Sequence, residues 1–361
     1  MASRMSDLQQ AIGGPLDAVD LAARVVQLVE TGRRESTYKL ATLMALIDIC
    51  VEHSPAPDGA LTVPIDEISH RFVAYYWTQV RVFHQHGRLA QSRQGRSIPD
   101  KIADAKEVLL RDGFGTAEAA REVGHPAYHS LVRALRTTIA QQPLTHLQTA
   151  PRSRLRDDFL FDANEFHKKM TVTEIDRIGV IVLWPGVPEG LRRTSTLLRT
   201  FLRSRWAQDV IGFNRAELDA EDLDGFLFGS DRTALRALAE PLRELQNNRC
   251  FYCDGRIMAD VHVDHVLPWS LLPIDGVANL VATDPRCNLG KSASMPVLEH
   301  MSRALSRESL PAIASVSRIP LLYKRTESAA RGAYAALPTG SVLWRGVGSY
   351  EKHDLSHTHA W

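Results

Sequence analysis

The stretch "CFYCDGRIMADVHVDHVLPWSLLPIDGVANLVATDPRCNLGKS", Cys250 to Ser292, carries most of the chemical information in this sequence. A Cys-x-x-Cys pair, Cys250 and Cys253, opens it, and Asp284-x-x-Cys287 follows near its end. Such a pair offers two thiolates to Zn²⁺, and a second pair normally completes the tetrahedron. Because carboxylate is an acceptable zinc ligand, we predict a structural zinc site of these four residues. The alternative is a site that has lost its zinc and packs its thiols in a small core.

The middle of the stretch, "VHVDHVLP", predicts a short strand that ends in an Asp-His pair. Alternation places Val261, Val263 and His265 on one side and His262 and Asp264 on the other. A twist or bulge at the strand end could still aim Asp264 and His265 at one cleft. Histidine is the natural base near neutral pH, and aspartate is a hard oxygen ligand for Mg²⁺ or Mn²⁺. His262 is an extra candidate for which a structural role is the more expected.

Two asparagines follow at defined distances. Asn279 lies after a loop, and Asn288 stands in "CNLGKS", which predicts the start of a helix. On that helix Asn288 and Lys291 share a face, since they are three residues apart.

Together these features resemble the HNH nuclease family with its ββα-metal fold. They are the Cys-x-x-Cys pair (a zinc knuckle), the strand that ends in Asp-His, the Asn after a loop, and Cys-Asn-x-x-Lys at the start of a helix. The resemblance covers residues 250–296. The pattern "DHVLPWS … NLV … CN-x-x-K" is also similar to a bacterial subgroup that is often linked to restriction or phage defence.

The resemblance implies a role for each matching residue. His265 is expected to be the general base that activates water, and Asp264 the metal ligand. Asn279 is expected to brace the loop and to help hold the imidazole of the base. Asn288 occupies the position of the last His, usually a metal ligand, so this is an H-N-N variant; its amide oxygen can bind Mg²⁺, although imidazole suits softer transition metals better. Lys291 is expected to contact a phosphate or the transition state.

These roles imply a metal-dependent endonuclease that cuts DNA with Mg²⁺ or Mn²⁺ and leaves 5′-phosphate and 3′-hydroxyl ends. The alternative is a zinc-knuckle module that binds nucleic acid or a partner without cutting. Such a module would need neither the Asp264–His265 pair nor Asn279, and the joint spacing therefore favours the nuclease.

The bulk composition sets wider limits. The chain has 361 residues, 44% hydrophobic and 24% charged, which predicts a globular protein of two or three domains. A net charge of +1 gives no global basic field that would indicate nucleic acid. The first residues lack the apolar core of a signal peptide, and no apolar run is as long as a membrane span. We therefore expect a cytoplasmic protein without membrane contact.

The pattern along the chain predicts an α+β protein in four segments. Residues 1–150 are expected to form a helical targeting or regulatory domain, acting through a partner protein or as a sensor. Residues 151–240 should hold a strand at 177–185 and a long amphipathic helix at 189–214. On this helix Arg192, Arg199 and Arg203 predict a solvated face, with phosphate tracking as the alternative. Residues 241–300 form the nuclease module, and 301–361 the C-terminal helices and a flexible tail.

Overall fold

The computed structural model describes residues 17–32, 35–93, 98–149, 156–214, 218–229, 235, 238–258, 260–308, 310–317 and 319–354. The flexible tail predicted over residues 349–361 is wrong at its start, because Ser349–Lys352 form a strand paired with Val342–Gly346, and its part beyond residue 354 lies outside these residues. The chain divides into two compact units, and both are discontinuous in sequence. Unit 1 comprises Met1–Phe72, Leu89–Ile98 and Val132–Glu217, and unit 2 comprises Val73–Arg88, Pro99–Leu131 and Leu218–Trp361. The units therefore do not follow the predicted boundaries at 150, 240 and 300, because segments distant in sequence pack together.

The secondary structure is mostly helical with small sheets, as expected for an α+β protein. The helices are α1 (Ala18–Glu30), α2 (Tyr38–Glu52), α3 (Ile65–Gln79), α4 (Ile98–Arg111), α5 (Ala117–Glu122), α6 (Pro126–Ile139), α7 (Val172–Ile178), α8 (Val187–Arg193), α9 (Ser195–Asn214), α10 (Ala220–Phe228), α11 (Ala239–Leu245), α12 (Pro285–Lys291), α13 (Leu298–Leu305), α14 (Leu310–Ser317) and α15 (Tyr323–Ala336). The strands are β1 (Leu61–Pro64), β2 (Val180–Leu183), β3 (His262–His265), β4 (Leu280–Thr283), β5 (Val342–Gly346) and β6 (Ser349–Lys352). Among the helices that the structure describes, none combines the length and the apolar character that crossing a membrane requires.

Unit 1 packs α1, α2, α8 and α9 around an apolar core, beside the antiparallel pair of β1 and β2. The helix predicted over 189–214 is divided at Thr194, which caps α8 before α9 begins. Gly190 lets α8 approach α1 closely, because a Cβ atom there would lie 2.6 Å from Cδ2 of Leu21.

The prediction that Arg192, Arg199 and Arg203 lie on a solvated helix face is wrong for Arg199. Arg199 is buried and forms an ion pair with Asp48 of α2, which is itself fully buried. Arg192 donates to the backbone carbonyls of Cys50 and His53. These arginines join helices within unit 1, because a buried guanidinium requires such partners.

Unit 2 contains the antiparallel pairs β3–β4 and β5–β6 together with α10 to α15. In the first pair, His262 lies opposite Thr283 and His265 lies opposite Leu280. All of β4 is buried, and α12 begins directly after it. A two-stranded ribbon is marginal by itself, so its stability depends on the packing of the surrounding helices.

Candidate active site and metal centre

Helix α12 contacts the face of β3 that carries His262 and Asp264. Asn288, on the first half of the helix, contacts His262, and Lys291, three residues later, contacts Asp264. The alternation along β3 places His262 and Asp264 on one face, and the three-residue spacing on α12 places Asn288 and Lys291 on one face. In the folded chain these two faces are in contact.

The Asp264 carboxylate is held by two donors. Its Oδ2 atom accepts hydrogen bonds from the Tyr252 hydroxyl at 2.6 Å and from Lys291 Nζ at 3.1 Å. Burial, followed by the nearby Asp264 charge, raises the pKa of Tyr252 well above its ordinary value, so the phenol remains a donor. Within the described part of the chain, Oδ1 of Asp264 has no hydrogen-bond partner, which leaves one oxygen available to a cation. A carboxylate oxygen is a fitting ligand for Mg²⁺ or Mn²⁺.

Lys291 differs from its expected role. Its side chain is fully buried, and Nζ donates to the backbone carbonyl of His265 at 2.7 Å as well as to Asp264. Burial lowers the pKa of Lys291, and the Asp264 carboxylate partly offsets that effect. Both groups that the ammonium meets belong to β3, so Lys291 fixes the strand end and the carboxylate there instead of reaching out to a phosphate.

His265 is paired with an aspartate that the sequence analysis did not identify. Its Nε2 atom lies 2.7 Å from Oδ1 of Asp275, and the two side chains are 9% and 23% exposed. Asp275 stands in the loop between His265 and Asn279, where a lone carboxylate carries no distinctive sequence signal. The pair gives the imidazole a fixed orientation and a tautomer with the proton on Nε2, so that Nδ1 can accept a proton.

Asn279 braces the loop that follows β3. The side chain is fully buried; Oδ1 accepts from the Leu267 backbone N–H at 2.7 Å, and Nδ2 donates to the carbonyls of Leu267 and Ile274. These bonds fix the two ends of the segment between His265 and Asp275. Asn279 is therefore placed between the ends of this loop, whereas the imidazole of His265 is in contact with Asp275 and not with Asn279.

Asn288 and His262 form a second polar pair. Asn288 Nδ2 lies 3.0 Å from His262 Nδ1, and both side chains are partly exposed. The amide oxygen is a suitable ligand for a hard divalent cation. Like Asp264 Oδ1, the Asn288 oxygen is therefore a candidate ligand for such a cation.

Three cysteines and one aspartate gather at the N-terminal end of α12. The ligand atoms of Cys250, Cys253, Asp284 and Cys287 all lie within 4.8 Å of one another. Ligands of a tetrahedral zinc ion with Zn–S bonds of 2.3 Å are about 3.8 Å apart, so this set could bind a metal such as zinc. The predicted members are thus brought together, although catalytic and structural metals would occupy different places.

The two oxygens of Asp284 have different hydrogen-bond partners. Oδ1 accepts from the Cys287 backbone N–H at 2.9 Å and caps α12, while Oδ2 accepts from Cys253 Sγ at 3.3 Å. Burial favours the neutral form of this carboxyl, but hydrogen bonds from the Cys287 N–H and from the thiols outweigh it and lower the pKa to about 2. Burial, followed by the bond to Asp284, raises the pKa of Cys287. A bound cation would displace the thiol protons, since thiolate is the form that binds metal.

Two family models match the chain. One is described as "Domain of unknown function (DUF8808)" and matches residues 18–227. The other is described as "HNH endonuclease" and matches residues 250–297, the segment that holds the sites above. No curated protein and no solved structure gives a significant match.

Proposed function

We propose that this chain, which belongs to the DUF8808 family and carries a C-terminal HNH endonuclease domain, hydrolyses phosphodiester bonds of DNA in a metal-dependent reaction. The observation that supports this most directly is the assembly on β3 and α12. There His265 is paired with Asp275, and the oxygens of Asp264 and Asn288 can hold a cation. The strand, strand, helix order of β3, β4 and α12 supports the proposal of a ββα-metal nuclease module.

His265 is the general base in this proposal. Its Nε2–H donates to Asp275, and Nδ1 removes a proton from the attacking water. The imidazolium that results lies 2.7 Å from the Asp275 carboxylate, which stabilises the new charge. Proton removal of this kind contributes roughly 10²–10⁴-fold to a rate.

Asp264 and Asn288 would hold the divalent ion, Mg²⁺ or Mn²⁺. A bound ion of this kind acts as a Lewis acid toward the phosphoryl oxygens and the leaving oxygen. Lys291 and Tyr252 keep the carboxylate of Asp264 in place for that role. The products would carry 5′-phosphate and 3′-hydroxyl ends.

The cysteine cluster would hold Zn²⁺ as a structural ion. The three thiols and the carboxylate would supply all four ligands of such an ion. Closed sites of this kind contribute folding energy and have no open position for catalysis. We therefore retain the four predicted zinc ligands, which are Cys250, Cys253, Asp284 and Cys287.

In the same proposal, the helical region of residues 1–150 is a targeting or sensor element that acts through a partner protein. The proposed biological role is restriction or phage defence. Parts of the DUF8808 match lie in unit 2 itself. Trp77 and Glu118 line a small cavity together with Asp275 and Trp269 of the nuclease module. Burial raises the pKa of Glu118, and the charge of Asp275 adds to this effect. A change in α3 or α5, which carry Trp77 and Glu118, can therefore alter the surroundings of Asp275 and its partner His265.

A plasmid-cleavage assay with Mg²⁺ or Mn²⁺ tests the function. Wild type should convert supercoiled plasmid into nicked or linear forms, and EDTA or the His265→Ala variant should abolish the conversion. His53→Ala is the matched control, because that side chain is exposed and the hydrogen bonds of the residue are made by its backbone N–H and carbonyl. Equal cleavage by wild type and His265→Ala would refute the assignment. DNA binding without any cleavage would favour the non-catalytic zinc-knuckle alternative.

A further inference from the structure

Asn288 presents a chemical problem that an imidazole at the same place would not present. An amide has an oxygen that can bind a divalent cation and an NH₂ group that cannot. The side chain is therefore a metal ligand only when its oxygen faces the ion, and rotation by half a turn about χ2 removes the ligand. Some neighbouring group must set that orientation if Asn288 is to work as a ligand.

His262 is the group in contact with the amide. Its Nδ1 atom lies 3.0 Å from Asn288 Nδ2, within hydrogen-bond distance. A neutral imidazole with its proton on Nε2 accepts at Nδ1, so it takes one N–H of the amide. With Nδ2 engaged on His262, the Asn288 oxygen points to the opposite side of the amide.

The backbone keeps His262 at this position. The residue pairs with Thr283 in the β3–β4 ladder, and Thr283 directly precedes the residue that caps α12. His262 and Asp264 share one face of β3, while Asn288 and Lys291 reach that face from α12. The imidazole thus has a fixed register with respect to both proposed metal ligands.

We propose that His262 is a positioning residue that orients the Asn288 amide so that its oxygen faces the catalytic divalent ion. The inference rests on the proposed function, because it requires a cation at Asp264 and Asn288. It also explains how an asparagine can take the place of a histidine ligand, because the imidazole of His262 on the neighbouring strand β3 directs the amide oxygen of Asn288.

Binding of Mn²⁺ to the full, zinc-loaded chain tests this role, with free Mn²⁺ measured by electron paramagnetic resonance. His262→Ala should weaken Mn²⁺ binding about 10- to 100-fold, the usual cost of losing a group that orients a metal ligand. His262→Asn places an amide oxygen near the position of Nδ1 and should remain within about threefold of wild type. Thermal unfolding of each variant separates a binding effect from a folding effect.

A double-mutant cycle gives the decisive comparison. Asn288→Asp supplies a carboxylate that presents an oxygen in either orientation, so His262→Ala should change Mn²⁺ affinity less than about threefold in that background. The inference is overturned if His262→Ala binds Mn²⁺ as tightly as wild type. It is also overturned if the variant loses affinity equally in both backgrounds, which would make His262 a direct ligand. Absence of Mn²⁺ binding by wild type, or unchanged binding by Asp264→Asn, would instead refute the proposed function.

Discussion

The contact between His265 and Asp275 leads to the most direct test of the proposed catalytic site. In Asp275→Asn the side chain keeps its size, and its amide oxygen can still accept from Nε2, but the negative charge is gone. The lost interaction is a 2.7 Å charge-assisted hydrogen bond between largely buried groups. Such bonds contribute about 1.5–3 kcal/mol. Because about 1.4 kcal/mol corresponds to a factor of ten in rate, kcat should fall about 10- to 150-fold.

Steady-state cleavage of a fluorescent oligonucleotide duplex measures this effect. The loss should appear in kcat, with little change in KM, because Asp275 acts on the base and is not proposed to contact DNA. Asp260→Asn is the matched control; Asp260 is an exposed aspartate of the same module. Thermal unfolding should show Asp275→Asn folded.

A wild-type kcat for Asp275→Asn, measured alongside an inactive His265→Ala, would show that the pairing has no catalytic role. A loss confined to KM would place Asp275 in DNA binding. Either result would refute the reasoning, since both separate the carboxylate from the protonation of the imidazole.

Cys253→Ser should reduce the zinc content from about one ion per chain to nearly none by atomic emission, whereas Cys50→Ala should retain it, because that buried thiol belongs to unit 1. Retained zinc in Cys253→Ser would remove this residue from the ligand set. Asn279→Ala leaves buried backbone groups without their partners and should lower the free energy of unfolding by about 2–4 kcal/mol in urea titrations; unchanged stability would contradict the bracing role. Lys291→Met removes a fully buried cation that pairs with partly buried Asp264 and should cost about 3–5 kcal/mol of stability. A higher KM for DNA with normal stability would instead restore the phosphate contact expected for Lys291.

The parts of the site that the sequence predicted depend on local signals. β3 follows from a four-residue alternation, and the helical position of Asn288 follows from a three-residue spacing to Lys291. Asp284 and the cysteines share one cluster because a Cys-x-x-Cys turn already brings two ligands together. Each of these signals lies within one element or one turn, where backbone geometry limits the options.

The parts that were missed depend on contacts between elements. Arg199 finds Asp48 on another helix, 151 positions earlier in the chain, and no periodicity within α9 reveals that partner. Asp275 becomes important only because the loop braced by Asn279 returns it to His265. The burial of Lys291 likewise depends on how α12 packs on β3. A sequence pattern places a residue on a face, but tertiary packing decides whether that face meets solvent or a partner.

The presence of Asp284 where a cysteine is usual has a physical explanation in the position of α12. A carboxylate has two oxygens, so Asp284 can cap the helix with Oδ1 while Oδ2 remains with the thiols. Aspartate is among the best N-cap residues, whereas a cysteine would provide a ligand without an equivalent cap. The helix has only seven residues, too few to be stable by itself, and it carries Asn288 and Lys291. A zinc ion at the cluster would therefore fix the start of the same helix that presents Asn288, the proposed metal ligand, and would couple the proposed structural site to the proposed catalytic one through two helical turns.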